Sequence, residues 1–577
     1  MVFHPPSWVP QLPFDPPDSI TIGEFFRDER YDRYSIAKSR NPFTCGITGK
    51  SYSTAESHER SDLVAKALAK RMGWAPNEGT SWEKVVCVYS LNTIDYLGVL
   101  HAVHRLSGIA TPANVAYSAA ELEHQLRSSG AKALFTCMPV LETALKAAKA
   151  SGILVSSVFI LGLPGAKSDG VLPTVDELIE EGRSLPDLEP LRWIKGHGAR
   201  QVAFLCYSSG TSGLPKAVKV SHMNVIANVM QYTNYDSVAR KMYGVETQAC
   251  LAVLPFSHMY GLVVLAHCNP WRGDEVIVLP KFDLTQFLNA VQTYKINQLY
   301  VVPPIIVRML SSKQACKKYD LNSVRCVYTG AAPTGEETIK ELRSLYPKWR
   351  IGQGFGMTET STVVINTSEH DIMYKSSGSL VPGVRAKVMS VDGKEITTYD
   401  TPGELFIQSP SVTLGYMNNE DATTEAFVWD SDGRWMRTGD EVIVTIAPSG
   451  NEHICIVDRI KELIKVKAHQ VAPAEREAHL LTHPAVDDCA VISVPDDRRG
   501  EVPKAFVQKA DAFASNAEED VIASIIKHVK DHKASYKWLE GGVEFIDLVP
   551  KSPSGKILRR LLRDKEREAR RAEEPKL

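Results

Sequence analysis

The sequence predicts an α/β protein with a large N-terminal domain of βαβ-type subdomains, a β-rich subdomain at its end, and a small α+β domain at the C-terminus. Three observations carry that reading. Short β-branched runs alternate with helical-looking stretches through the first part of the chain. Near Arg385 the alternation gives way to short strands separated by Gly, Asp and Pro turns, and near Asp458 a mixed helix and strand pattern resumes. At 577 residues the chain exceeds the roughly 250–300 at which a single core stops growing, so several bodies are expected.

Taken in order, VVCVYS (85–90), an apolar-periodic segment from Thr93 to Leu106, KALFTC (132–137) and VSSVFILG (155–162) read as βαβ units with strands buried on both faces. ACLAVLPF, DEVIVLP, NQLYVVPP and VRCVYTG continue the pattern, separated by helical stretches such as LTQFLNAVQTY and PTGEETIKELRSLYP. RAKVMSVDGKEI, GELFIQSPSV and EVIVTIAPSGNEHICIVDR form the β-rich part, 385–457, which closes an N-terminal domain of 1–457. The remainder, 458–577, alternates PAEREAHLLTH, DCAVISVP, KAFVQK, EEDVIASIIKHVKDH and VEFIDLV, the pattern of one small domain. Its last helix, GKILRRLLRDKEREARRAEE, mixes both charge signs and reads as a solvated amphipathic helix.

Composition narrows the function. Hydrophobic content of 44%, charged content of 23% and a formal net charge of -2 give no global bias toward polyanions, so nucleic acid is not expected as a partner. The ten cysteines are scattered without C-x-x-C pairs, which argues for reduced thiols and against a disulfide framework or a zinc site of that type. No secretory signal opens the chain and no run reaches the roughly 18 apolar residues of a membrane span. The final Pro575-Lys576-Leu577 differs from the peroxisomal address S-K-L only at its first residue, so a peroxisomal import receptor is an expected partner, with the cytoplasm as the other location.

One loop carries chemistry. The apolar run Val202–Leu205 leads into CYSSGTSGLPKAVKVSH (206–222), with four hydroxyls, two glycines and a lysine between Ser208 and Lys216. The Walker spacing is absent, because Gly210 and Gly213 are too close and Pro215 precedes Lys216. The ingredients still suit a polyphosphate: the glycines let backbone N–H groups turn inward, Ser208, Ser209, Thr211 and Ser212 add donors, and Lys216 adds a point charge. Alone, the stretch also fits a Ser/Gly-rich surface hairpin.

Further along, LPFSHMYGL (254–262), GQGFGMTET (352–360), GELFIQSPSVTLGY (403–416), RTGD (437–440), DRIKELIKVKAHQVAPAE (458–475) and PKSPSGKILR (550–559) follow in order. Together with SSGTSGLPK they resemble the adenylate-forming acyl-CoA synthetase superfamily over nearly the whole chain, most closely 4-coumarate:CoA ligases and beetle luciferases. The resemblance implies ATP, Mg²⁺ and coenzyme A as cofactors. It puts the ATP phosphates in the Ser208–Lys216 loop (Ser208, Ser209, Gly210, Thr211, Ser212, Gly213, Lys216), and adenine between Phe355 and the Gly330-Ala331-Ala332 segment. By the same resemblance Thr358 donates to the α-phosphate, Glu359 binds the metal, Asp440 accepts from the ribose hydroxyls and Arg459 assists it. Lys556, presented by a turn at Pro553, Ser554 and Gly555, would bridge the substrate carboxylate and the α-phosphate.

Two half-reactions need two arrangements of one site, so the C-terminal domain is expected to swing, and the resemblance puts the pivot at Lys461, near a hinge at 458–461, with Lys465 and Gln470 moving to the site for thioester formation. His258 would flank the acyl carbonyl. Met259, Tyr260, Val263, Tyr328, Gly330 and the segment 361–364 would line the acyl site, where Val263 and Tyr328 replace the asparagine and lysine that suit a phenol in coumarate ligases. An apolar aryl acid or a medium- to long-chain fatty acid is therefore expected. Two family glycines are alanines, Ala217 and Ala468; the second adds a methyl on the expected pantetheine path. Competing readings are transfer to a carrier-protein thiol, luciferase-like oxidation, and a non-catalytic binding protein that keeps the fold.

Overall fold

The computed structural model describes residues 1–166, 170–208, 215–332, 334–467, 469–496, 498–552 and 555–573. Much of the phosphate loop, Ser209 to Leu214, therefore lies outside the described residues, as do Ala468, Pro553, Ser554 and the Pro575-Lys576-Leu577 tail.

Two sheets form the large part of the chain. A six-stranded sheet runs in the order Val158–Ile160, Ala133–Thr136, Val85–Tyr89, Ile109–Pro112, Val202–Ser208, Lys216–Ser221. Its neighbours pair in parallel except the last two, which form an antiparallel hairpin bracketing the phosphate loop. The nine-stranded sheet contains Ala249–Ala252, Gln298–Val301, Cys326–Thr329 and Arg350–Met357, again parallel among themselves. Val85–Tyr89 and Cys326–Thr329 are buried along their whole length, which is why they read as unbroken apolar runs. The helices between them are stopped by local chemistry: Ser118 and Glu121 form a capping box at one helix start, and Gly130 takes the left-handed conformation at its end.

The expected β-rich segment is a five-stranded antiparallel sheet built from Arg385–Met389, Gly403–Gln408, Phe427–Asp430, Gly433–Ile446 and Glu452–Arg459. The principal apolar cluster draws its buried members from Phe3 to Ile454, and a separate cluster begins at Ile464 and runs to Leu539. The turn between Arg459 and Ile464 thus joins two cores. A five-stranded sheet and the helices Pro473–Leu480, Glu518–His532 and Arg559–Glu573 make up this last part. All ten cysteines are free thiols, nine of them buried. No helix among the described residues is long and apolar enough to cross a membrane.

Candidate active site between the two domains

A cavity of about 730 Å³ opens where the three sheet systems and the C-terminal domain meet. Its walls bring together residues far apart in sequence: Ser208 and Lys216, His258 to Tyr260, Tyr328, Gly330 and Ala331, Phe355 to Glu359, Arg459, Lys461 and Lys556. Ends of parallel strands supply most of them. Val202–Ser208 ends at Ser208, Cys326–Thr329 delivers Gly330, and Arg350–Met357 runs into Thr358 and Glu359, the usual place for a ligand in an open α/β sheet.

Backbone strain marks the same spot. Ala331, Ser361 and Thr362 hold positive φ values of 67°, 53° and 110°, uncommon for residues with a Cβ. Gly356 is required beside them, because a Cβ there would lie 1.5 Å from the carbonyl oxygen of Thr362. The strand is bulged at this point, between Phe355 and Gly356, and so turns Thr358 and Glu359 toward the cavity.

Glu359 is buried and accepts hydrogen bonds from Ser208 Oγ at 3.1 Å and Tyr416 Oη at 2.9 Å. Among the described residues both fall on Oε1, which leaves Oε2 for a hard cation such as Mg²⁺. Bound there, the ion would neutralise phosphate charge. Lys216 sits over the Tyr416 ring, 5.2 Å from its centroid. Tyr416 had no role in the sequence reading although it closes the GELFIQSPSVTLGY motif; its position at the end of that motif was the available signal.

Lys556 enters from the C-terminal domain on a tight turn. The Ser552 N–H donates to the Lys556 carbonyl at 2.8 Å, and the Lys556 N–H donates to Ser552 Oγ at 3.2 Å. Gly555, at φ 82°, presses on the large domain: a Cβ there would meet Val302 Cγ2 at 3.0 Å and Pro304 Cδ at 3.2 Å. Burial and the neighbouring Arg459 push the Lys556 ammonium down to about 8, while Asp440 and Glu359 oppose the shift. An anion placed beside it would restore the charge.

Asp440 is buried on strand Gly433–Ile446 directly opposite Arg459, whose Nε lies 3.5 Å from its Oδ1. Burial pushes its carboxyl up to about 6 against the pull of Arg459 and Lys556. His258 accepts at Nδ1 from the Tyr260 N–H at 3.3 Å, so in the neutral ring Nε2 carries the proton. Burial and the charge of Lys556 hold it down at about 4. Near neutral pH His258 is therefore a hydrogen-bond donor, suited to an acyl oxygen and too weak a base to remove a proton.

Some expected positions fall elsewhere. Val264 lines the cavity and Val263 does not, being packed into the core. The segment Tyr260–Cys268 is a π-helix; an α-helix would put both the third and the fourth residue after Tyr260 on its face, whereas the wider turn keeps the fourth there and carries the third away. Thr362 and Val363 line the wall from the 361–364 segment, whereas Ala332 and Asp440 stand outside the lining. Tyr232 and Tyr300 line it without having been anticipated. They come from a long helix and a buried strand whose apolar patterning says nothing about a ligand. Lys465 and Gln470 are exposed and pair with each other across a hairpin, away from the cavity. Lys461 is at the junction, where it lines the cavity and pairs with Glu425 of the large domain at 3.4 Å.

The cleft gathers strand ends, a buried carboxylate and a lysine carried in by a second domain, an arrangement suited to an enzyme that activates a substrate with a nucleotide. The sequence pattern of the AMP-binding enzyme matches residues 37–417 and that of the AMP-binding enzyme C-terminal domain matches 475–556, and the chain belongs to this family. It is 39% identical over 586 residues to the acyl-CoA ligase cm3C of Cordyceps militaris, covering 98% of this chain and 90% of that one. With the acyl-CoA ligase AFT1-1 of Alternaria alternata it shares 40% identity over 570 residues, covering 98% and 97%. Its fold resembles that of the anthranilate CoA ligase AuaEII in complex with anthranoyl-AMP, with a TM-score of 0.77 at 22% identity over 95% of this chain and 98% of that one. A benzoate CoA ligase from Burkholderia xenovorans gives a TM-score of 0.75 at 21% identity over 94% and 100%.

Proposed function

We propose that this chain, an ATP-dependent acid:CoA ligase, acts on a compact, largely apolar carboxylic acid, with an aryl acid favoured over a fatty acid. In the first step a carboxylate oxygen attacks the α-phosphorus of ATP and the bond to pyrophosphate breaks, giving the acyl-adenylate. In the second the sulfur of CoA attacks the acyl carbonyl carbon, its proton is lost, and AMP leaves.

The chain's own residues divide these tasks. Lys556 lies between two anions that otherwise repel, and stabilises the charge that builds as they approach. Thr358 and Glu359 hold the phosphate side, Asp440 and Arg459 the ribose side, and the His258 Nε2–H meets the acyl oxygen. In the second step Lys556 withdraws and Lys465 and Gln470 take its place, with Lys461 at the pivot. The observation that carries the reading is the convergence of Lys556, Glu359 and His258 on one cavity.

The aryl preference is supported by the rings that line the cavity together with Met259 and Val264: Tyr232, Tyr260, Tyr300 and Tyr328, with Tyr300 packed against both Tyr260 and Tyr328. Flat aromatic faces favour a flat acyl group, and a charged phenol partner is missing among them. Pyrophosphate release measured with phenylacetate, octanoate and coumarate should be fastest with phenylacetate; a clear preference for coumarate rejects the reading. AMP release that requires free CoA separates this function from loading of a carrier-protein thiol. The proposal extends to peroxisomes as the location if Pro575-Lys576-Leu577 ends the natural chain, which a fluorescent fusion with and without the tripeptide tests.

A further inference from the structure

We propose that His479, His528 and His532 form a binding site for a first-row divalent metal ion of the zinc type, on the C-terminal domain and separate from the catalytic cleft. His479 lies in the last turn of helix Pro473–Leu480, and His528 and His532 lie one turn apart on helix Glu518–His532. Residues four apart on a helix share a face, so this pair already points one way. One ring nitrogen from each of the three histidines lies within 4.8 Å of the others. None of the three lines the cavity that holds Lys556.

The hydrogen bonds around the rings decide which nitrogens are free. Thr482 Oγ1 donates its own hydrogen to the His479 carbonyl at 2.7 Å, so toward His528 Nε2, 2.9 Å away, it can only accept. His528 therefore carries its proton on Nε2 and a lone pair on Nδ1. His532 Nδ1 lies 2.8 Å from the His528 carbonyl, which also can only accept, so its lone pair is on Nε2. A hydroxyl or carbonyl that holds the far N–H of an imidazole is the usual outer support of a metal-bound histidine, because it fixes both tautomer and ring orientation. His479 Nε2 lies 3.5 Å from the same carbonyl and is held more loosely.

The His479 and His528 rings are stacked, with centroids 4.4 Å apart and planes at 7°. Around a tetrahedral ion with Zn–N bonds of about 2.0–2.1 Å, ligand nitrogens stand roughly 3.3 Å apart, so ring rotation must draw the three together. Partial exposure of His479 and His528 and full exposure of His532 leave room for that rotation. Three imidazoles with no carboxylate among them select Zn²⁺, Co²⁺, Ni²⁺ or Cu²⁺ over Mg²⁺ and Ca²⁺. An ion held there would tie together the two helices, one of which abuts the large domain: a Cβ on Gly335 would meet Ala478 Cβ at 2.7 Å.

The test uses the full-length chain without a histidine tag, stripped with chelator and titrated with Zn²⁺ by calorimetry and with Co²⁺ by visible absorption. One equivalent is expected, with the intense visible bands of four-coordinate Co²⁺. H528A and H532A should each weaken binding by about tenfold or more. H469A, at a histidine of the same domain stacked on Tyr536, should bind as the parent does. Circular dichroism verifies folding, and the exposed His532 gives a variant that does not disturb the core. Equal affinity of the parent and H532A, or loss of binding in H469A alone, overturns the proposal.

Discussion

The turn that carries Lys556 and the hairpin that carries Lys465 belong to the same small domain, yet only the first reaches the cavity. Lys556 is half-buried, with Arg459, Asp440 and Glu359 acting on its charge, and its ammonium is pushed down to about 8; Lys465 is exposed and faces Gln470 across the hairpin. The two cannot serve the cavity at once from these positions. One face of the domain thus meets the cavity while the other is turned away from it. The large domain, by contrast, offers a single cavity to both, with its shape fixed by buried strands.

The widest test of that contrast is to remove each lysine and follow each half-reaction separately. K556A should slow pyrophosphate release about 100- to 1000-fold, the loss of about 2.7–4 kcal/mol that goes with one well-placed charge donor. Thioester formation from supplied acyl-adenylate should continue in the same variant. K465A should show the reverse split. If K556A slows both steps equally, the two faces do not divide the labour. A pH profile sharpens the point: Lys556 loses its charge as pH rises through about 8, so kcat/KM for adenylation should fall above that pH while the thioester step does not follow the same curve.

Next in size is the seat of the Lys556 turn. Gly555 combines a left-handed φ of 82° with close approach to Val302 and Pro304, so G555A adds both strain and a clash. A displacement of the turn costing about 1–2 kcal/mol should lower the adenylation rate by about tenfold. Because Lys465 sits elsewhere on the domain, turnover of supplied acyl-adenylate should be unaffected. Equal loss in both steps would mean that the substitution damages the domain and not its docking.

Sequence made the fold and the polar half of the site readable for identifiable reasons. Buried parallel strands appear as unbroken apolar runs, as at VVCVYS and VRCVYTG, and the motifs at Ser208 and Thr358 sit at strand ends, whereas RTGD lies within the antiparallel strand Gly433–Ile446. Lys556, Glu359 and His258 lie inside ordered motifs and meet in the cavity. The acyl wall was less legible. Tyr232 and Tyr300 come from a helix and a strand whose patterning reports burial only, and the choice between Val263 and Val264 depends on the local helical pitch, which apolar residues on every side do not encode.

That pitch supplies the smallest effect and the finest comparison. In helix Tyr260–Cys268 both Val263 and Val264 are fully buried in the core, and of the two Val264 also lines the acyl space. V264A enlarges the pocket by two methyl groups, so it should change the ratio of kcat/KM between a short and a bulkier aryl acid by a few fold, and it should also lower stability because Val264 is fully buried. V263A should leave that ratio alone while costing about 1–3 kcal/mol of stability through the void it opens. Measured side by side, the pair asks whether the wide turn is real in solution. An ordinary α-helical pitch would bring Val263 beside Val264 on the Tyr260 face, so that V263A would change the ratio as well.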